Sequence, residues 1–402
     1  MKLQILIPQY KETEEVLKPM LNSLSVQENI DFNDFSVIIC NDGSDVFLDE
    51  QWLHSFPFKV EYFKCKHQGV SATRHECFKR ATADYVMWCD ADDCFCDTCG
   101  LFRIFREIDI AQFDAFASIF REEGRVPKEM LDAIMERRVA DQAICQAEDC
   151  EKVPDYHNRG FIHPLDFRQS QFDSTFVHGK VYRRQFLIDK QIFWNPALTI
   201  HEDSYFNILA QTVADMSHTF DRYRSAEPFY LWKWRDESVC RHDPKYILKT
   251  LPNLMASNTA LVREFLQRNL RGMAQIFVTN MFYDAYFTLN RKDWLDVVNK
   301  EFRDRTERRF KKYVEEFGDI YYKEAPEMLK KQAYKGQKNR FFGEDVFDEA
   351  MTLKQWLAHI DNEVEIDPNE EFPPSGKPVK LKKSNVWQPP KPPKAPQVPN
   401  NK

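Results

Sequence analysis

The apolar run Tyr85-Val86-Met87-Trp88-Cys89 stops abruptly in Asp90-Ala91-Asp92-Asp93, three carboxylates in four residues. A buried strand that ends this way places negative charge at one edge of a sheet, and in open α/β sheets the carboxyl edge is where ligands bind. Close carboxylates repel one another unless a cation sits among them. Hard divalent ions such as Mg²⁺ and Mn²⁺ take oxygen ligands and also bind phosphates. The run therefore reads as a metal-bridged diphosphate site, although taken alone it reads equally as a solvated acidic turn.

The flanking sequence repeats one pattern. Leu3 to Ile7 is a short apolar run stopped by Pro8, after which Val16, Leu17, Met20, Leu21 and Leu24 recur at helical spacing. Phe35 to Cys40 is a second apolar run, ending in the turn tetrapeptide Asn41-Asp42-Gly43-Ser44. Val60 to Phe63 predicts a third strand, Val70 to Ala83 a helix, Tyr85 to Cys89 a fourth strand, Asp97 to Ile108 a helix and Phe113 to Phe120 a further strand. Such alternation requires crossover connections and hence an α/β fold with a mainly parallel sheet. In parallel strands Asn41-Asp42 and Asp90-Asp92 project from the same edge, a stronger statement than either motif makes alone.

Residues 121–150 are charged and helical in pattern, as an insertion would be; Gln171 to Val177 has extended character, and Val181 to Lys190 reads as a short helix. His201-Glu202-Asp203 opens a helical pattern through Phe206, Leu209 and Ala210, and Pro228 to Trp234 is an aromatic strand candidate. From about Asp243 to Asp361 the pattern is helical, with Leu248, Leu251, Leu254, Leu261, Phe265 and Leu266 on one face. The expected division is 1–242, comprising a ligand-binding half 1–110, the insertion at about 121–150 and a second half 151–242, then a helical domain 243–362 and a tail 363–402. From Pro368 onward the chain carries ten of its 21 prolines and seven lysines with almost no aliphatic core. That composition predicts a disordered, locally basic tail.

Bulk composition narrows the rest. The 402 residues are 43% hydrophobic, enough for two or three folded domains, and the net charge of -7 gives no general attraction to nucleic acid or anionic membranes. Only 11 glycines argue against a Gly-rich phosphate loop. No uncharged apolar stretch of about 18 residues is present, and Met1-Lys2-Leu3-Gln4-Ile5 lacks the features of a signal peptide. A soluble, cytoplasmic protein is expected. Of ten cysteines, Cys89, Cys94, Cys96 and Cys99 fall together; Cys96 and Cys99 have zinc-like spacing without a second pair, so reduced thiols are the simpler expectation.

The strand-end signals occur in a fixed order: Pro8-Gln9-Tyr10-Lys11-Glu12, Asn41-Asp42-Gly43-Ser44, Gly69-Val70-Ser71-Ala72-Thr73-Arg74, and Asp90-Ala91-Asp92-Asp93. The series resembles the nucleotide-binding half of the inverting family 2 glycosyltransferases, which have the GT-A fold. Their first strand commonly ends in a Pro-x-Tyr-Asn-x-Glu type motif and their second in Asp-Asp-Gly-Ser; a Gly-x-x-x-Ala-Arg-Asn type element precedes an Asp-x-Asp-Asp metal motif. Here Lys11 stands for the usual Asn, Thr73 for the Ala before Arg74 and His75 for the Asn after it. Later, His178-Gly179-Lys180-Val181-Tyr182-Arg183-Arg184 is similar to the family's Lys-x-Tyr-Arg-Arg segment, Glu202-Asp203 to its Glu-Asp pair, and Phe229 to Arg235 with Ser238 to its aromatic strand and Arg-x-x-x-Ser segment. The resemblance covers about residues 3 to 240.

It implies transfer of a sugar from a nucleotide sugar, by default a UDP-sugar, to an acceptor hydroxyl with inversion, aided by Mn²⁺ or Mg²⁺. By the same resemblance Asp92 is the first metal ligand, Asp90 lies at the metal or the donor's ribose or sugar, and Asp93 supports them. Asp203 is the expected general base, with Glu202 beside it. Pro8, Tyr10, Glu12 and Asp42 are expected around the nucleobase, where Asp42 would accept from a ring N–H unless it serves as an Asx-turn acid beside Gly43. Arg74 is expected to hold Asp42 or the diphosphate, and Lys180 to contact phosphate. His178, His201 and His242 are candidate further contacts, and Trp232 and Trp234 candidate sugar platforms. Glycan or lipid-linked acceptors are the family's commonest; the basic tail and helical segment leave room for a protein or nucleic-acid acceptor. A catalytically inactive scaffold and a nucleotidyltransferase are the competing readings, the latter disfavoured by the missing Gly-rich loop.

Overall fold

The structure is a computed structural model, and it describes residues 1–111, 113–122, 176–216, 222–233, 246–290, 300–341 and 351–366. Strands β1 (Leu3–Gln9), β2 (Phe35–Asn41), β3 (Lys59–Lys64) and β4 (Tyr85–Trp88) form the parallel half of the sheet. Leu3 of β1 lies opposite Phe35 on one side and Tyr85 on the other. With β5 (Cys94–Phe95), β6 (Ala115–Glu122), β7 (Lys180–Arg183) and β8 (Arg222–Trp232) they make one eight-stranded sheet, ordered β3-β2-β1-β4-β7-β6-β8-β5. β7 is antiparallel to both neighbours, β5 is antiparallel to β8, and β6 pairs with β8 in parallel. The mainly parallel sheet with flanking helices predicted from the alternation is the one observed.

Burial explains why these runs became strands. Leu3, Ile5, Ile7, Val37 and Ile39 pack into one core, while Leu6, Ile38 and Cys40 point through the sheet into a second. A strand covered on both faces needs a continuous apolar run. Helices α1 (Glu14–Ser25), α2 (Glu50–Leu53), α3 (Val70–Arg80) and α4 (Gly100–Ala111) supply the covers and crossovers in the first half. Lys180–Arg183 departs from expectation. The predicted helix over Val181–Lys190 begins as strand β7, and only Arg184–Asp189 is helical, as α5. Val181 pairs with Met87 on one side and Phe116 on the other, so ladder bonds to β4 and β6 override local helical pattern.

After α6 (Glu202–Met216) and β8, the remaining described elements are helical: α7 (Tyr246–Gln267), α8 (Arg271–Leu289), α9 (Lys300–Asp319), a π turn over Ile320–Glu324, α10 (Glu327–Phe341) and α11 (Leu353–Glu363). One apolar core runs from Trp88 and Tyr182 through Phe206 to Leu251, Phe282, Phe310 and Trp356, so the helices share a core with one face of the sheet. α11 opens on a capping box, Thr352 with Gln355. No helix among the described residues is long and apolar enough to cross a membrane. The predicted insertion beyond Glu122, nearly all of Gln171–Val177, and the tail beyond Ile366 lie outside the described residues.

Candidate functional site

Parallel pairing brings the ends of β1, β2 and β4 to one edge, and α3 ties them together. Asn41 at the end of β2, not Asp42, makes the turn: its Oδ1 accepts from the Ser44 amide at 2.7 Å. Asp42 is instead spent on the loop before α3. Its carboxylate accepts from the amides of Gln68 (2.8 Å) and Gly69 (2.9 Å) and contacts His67 Nδ1 at 3.0 Å. Gly43 lets that loop approach. It has φ +72°, and a Cβ there would lie 2.5 Å from His67 N. Gly43→Ala is expected to cost about 1–3 kcal/mol and to loosen the His67–Gly69 loop; a urea midpoint equivalent to wild type within about 0.5 kcal/mol would contradict this.

At the end of β1, the Tyr10 ring stacks on His67, with centroids 4.6 Å apart and planes 18° from parallel. Lys11, which stands where the resembled motif has Asn, takes the left-handed φ of 69° that Asn tolerates better, and its Nζ lies over the Tyr10 ring at 5.2 Å. Glu12 accepts from the Tyr10 amide. Pro8 pairs opposite Cys40, one pair before the β1–β2 ladder ends.

Arg74, on α3, is the joint of the site. It is 5% exposed. One nitrogen donates to Asp90 Oδ1 at 2.8 Å and another to Glu202 Oε1 at 2.7 Å, while the guanidinium lies 4.8 Å from the Trp194 ring centroid. The strand-end acids and the first turn of α6, 112 residues further along (202 minus 90), thus meet on one cation. Of the two expected partners of Arg74, Asp42 or a diphosphate, Asp42 is not the one it meets: Asp42's oxygens are engaged by the loop that begins α3, and Arg74 faces the other acids.

The charges respond to this arrangement. Burial opposes Arg74's charge, but Asp90, Glu202 and Asp203 outweigh it and raise its pKa further. Burial alone would raise Asp90, yet Arg74 and His178 together hold its carboxyl well below the usual range. Glu202 is pushed up to about 7 by burial and by Asp203's charge, with Arg74 acting in the opposite sense. Burial also raises Asp203, against Arg74 and the Ser204 amide. Asp203 remains partly exposed where Glu202 is buried. His201, immediately before the pair, has a left-handed φ of 62°, and its carbonyl accepts from Ser257 Oγ of α7 at 2.8 Å.

Asp93 is more than a turn acid. It is 1% exposed; Tyr230 Oη donates to it at 2.7 Å and the Lys233 amide at 2.9 Å, while Tyr230 Oη accepts from the Asp90 amide at 3.1 Å. Burial, then the charges of Asp90 and Asp92, push its carboxyl far up. His178 Nε2 lies 3.5 Å from Asp90 Oδ2 and 3.7 Å from Asp93 Oδ2, with its ring stacked between Phe176 and Tyr230. Burial lowers its pKa, which favours the neutral imidazole. Asp90, Asp93 and His178 each offer a ligand atom within 4.8 Å of the others.

Asp90, Arg74, Glu202 and His178 are therefore brought together, with Asp203 next in sequence to Glu202. Asp92 is half-buried on the same turn but is not one of the three clustered ligands. Lys180 is almost wholly buried in β7, donates to the Phe176 carbonyl, and lowers Asp203 through its charge. Trp232 packs against His178 and Phe176, while Trp234, Arg235, Ser238 and His242 lie outside the described residues. Cys89, Cys94 and Cys96 are buried and Cys99 is half-buried. His67, Trp194 and the specific role of Tyr230 escaped the sequence reading; each acts through partners between 25 and 140 residues away, for which no local spacing exists.

Residues 4–167 match the family described as Glycosyl transferase family 2. No curated protein matches the chain in sequence. Among solved structures, S. aureus TarS 1-349 is similar at 15% identity and a TM-score of 0.45, covering 84% of this chain and 92% of that one. TarS 1-349 in complex with UDP gives 16% identity, a TM-score of 0.45 and the same coverage. The mannosyltransferase PcManGT from Pyrobaculum calidifontis, in complex with GDP-Man and Mn2+, gives 10% identity and a TM-score of 0.44, covering 90% of this chain and 84% of that one.

Proposed function

We propose that this chain, whose residues 4–167 match the family described as Glycosyl transferase family 2, is a glycosyltransferase that moves a sugar from a nucleotide sugar, a UDP-sugar by default, to an acceptor hydroxyl of a glycan or lipid-linked precursor, with inversion. The observation that supports this best is the Arg74 joint, which makes the β4 acids and the Glu202-Asp203 pair one electrostatic unit at the sheet edge.

Pro8, Tyr10, Glu12 and Asp42 form the nucleobase end of the donor seat in this reading. Tyr10 offers a stacking face that His67 covers here. Asp90 lies toward the ribose and diphosphate, and Arg74 and Lys180 supply positive charge around it. The residues fit a divalent cation. Asp90 and Asp93 present carboxylates, His178 a neutral imidazole, and Asp92 adds a further carboxylate on the same turn; burial first, and repulsion from Asp90 and Asp92 second, raise Asp93's pKa, and a cation relieves the second of these. Such a mostly oxygen set with one imidazole suits Mn²⁺, with Mg²⁺ the alternative. When bound, the ion supplies Lewis-acid stabilisation to the departing diphosphate.

The remaining chemistry belongs to the chain. Asp203 takes the proton of the acceptor hydroxyl as the acceptor oxygen bonds to the anomeric carbon, and the bond from that carbon to the diphosphate breaks on the opposite face. A raised carboxyl is the better base near neutral pH. Glu202, held by Arg74, positions the start of α6 and with it Asp203. Helix α7 braces that start through Ser257, which donates to the His201 carbonyl.

A panel of sugar nucleotides incubated with the full chain and Mn²⁺ tests the reading without a known acceptor. Slow release of a nucleoside diphosphate from one donor class is expected. No release from any donor, with Mn²⁺ or Mg²⁺, would favour an inactive scaffold.

A further inference from the structure

A second cleft, of about 610 Å³, lies in the helical half. Tyr283 of α8, Tyr321 of the π turn, Glu327, Lys330, Lys331 and Tyr334 of α10, and Lys354 of α11 line it. None of these elements carries an acid of the strand-edge site. Its size lies within the range of about 300–1,000 Å³ typical of small-ligand pockets.

Its chemistry is distinct. Three tyrosine rings meet there: Tyr283 is edge-on to Tyr334 at 5.7 Å and to Tyr321 at 6.2 Å. The Tyr283 and Tyr321 hydroxyls lie 3.3 Å apart, and Tyr334 keeps 36% of its surface exposed. Lys330 Nζ sits over the Tyr321 ring at 5.0 Å, and the acid it pairs with, Glu327, is itself 79% exposed. Segment 327–341 carries Lys330, Lys331, Lys335 and Lys338 against the single acid Glu327, in a chain whose net charge is -7. Three lysines against Glu327 give the cleft a net positive lining in a net negative protein.

The backbone is also unusual here. Tyr321 is delivered by a π turn, Ile320–Glu324, a rare geometry that is frequent at functional sites. Gly318 makes room for that turn, since a Cβ on it would lie 3.3 Å from the Tyr322 ring.

We propose that this cleft binds an anionic carbohydrate, a phosphate- or carboxylate-bearing stretch of the acceptor, by stacking a sugar face on Tyr334 and pairing the anion with Lys331 and Lys354. Tyrosine rings present large amphipathic faces, and lysines act as point charges for phosphate or carboxylate. A single-stranded nucleic acid fits less well, because it calls for a long basic groove tracking the backbone, whereas this cleft is compact. The inference rests on the reading of the chain as a glycosyltransferase with a carbohydrate acceptor.

Calorimetric titration of the full chain tests it with four probes: an oligogalacturonate, a polyol-phosphate oligomer, a neutral malto-oligosaccharide and a thymidine oligonucleotide. At least one anionic glycan is expected to bind about tenfold or more tighter than the neutral one, and the choice between the two identifies the anion. Lys331→Glu/Lys354→Glu is expected to weaken that binding by about tenfold or more, and Tyr334→Ala to weaken it also, with UDP binding on the same samples unchanged. These are exposed positions, so folding is preserved. Failure of both anionic glycans to bind, insensitivity to the charge reversal, or tighter binding of the oligonucleotide overturns the proposal. Absence of UDP binding in the unmodified chain would instead count against the transferase reading and leave the glycan titration readable.

Discussion

Asp203→Asn is expected to lower kcat by about 10²–10⁴-fold, the usual worth of a positioned general base, while UDP affinity stays near wild type. The separation follows from geometry. Asp203 is beside the Arg74 joint but is not one of the clustered metal ligands, so its loss removes proton transfer rather than the donor seat. Equal loss of UDP binding would make Asp203 a structural residue. The pH profile carries an independent sign. A base must be ionised to accept a proton, so activity is lost as pH falls through its pKa. Burial, with Asp90's charge adding and Arg74 opposing, raises that pKa, so the acidic limb of kcat lies above the ordinary aspartate value of about 4. Glu202, pushed up to about 7, takes up its proton over the same fall in pH and weakens its pairing with Arg74. In Asp203→Asn, what activity remains is expected to lose the Asp203 limb.

Arg74→Met is expected to destabilise the protein by about 3–5 kcal/mol, the cost of removing one partner from a buried ionic group. It leaves Glu202 buried and Asp90 half-buried, with no cation between them. Urea denaturation with an unchanged m-value measures this as a shift in midpoint. Adding Glu202→Gln to Arg74→Met is expected to recover part of the loss, giving a coupling of about 0.5–3 kcal/mol. A loss below about 0.5 kcal/mol would show that the joint is not holding the site.

The parallel half of the sheet was readable because β1, β2 and β4 are buried on both faces, which forces uninterrupted apolar runs with abrupt polar ends. β7 was not, because Lys180 opens it, and what keeps it a strand is pairing to β4 and β6 rather than local pattern. The two-residue β5 is too short to carry any periodicity. At the site, residue types were legible and partnerships were not. Asp42, Arg74, Asp90 and Glu202 were all singled out, but Arg74 joins residues 16 positions downstream and 128 positions downstream, and only the fold decides that it turns away from Asp42. Asp93 looked like a supporting turn acid because its anchor, Tyr230, lies 137 residues away. The tyrosine–lysine cleft left no motif, since its lining is assembled from residues 283 to 354 by helix packing and a π turn.

In the proposed mechanism a cation and a nucleoside diphosphate share the edge where Asp90, Asp93 and His178 converge, and proton transfer falls separately to Asp203. Calorimetric titration of UDP into the full chain, with and without Mn²⁺, tests it most directly. Binding that requires the metal, disappears in Asp90→Asn and survives in Asp203→Asn is the predicted result. UDP binding that is indifferent to Mn²⁺, or that persists undiminished in Asp90→Asn, would contradict it.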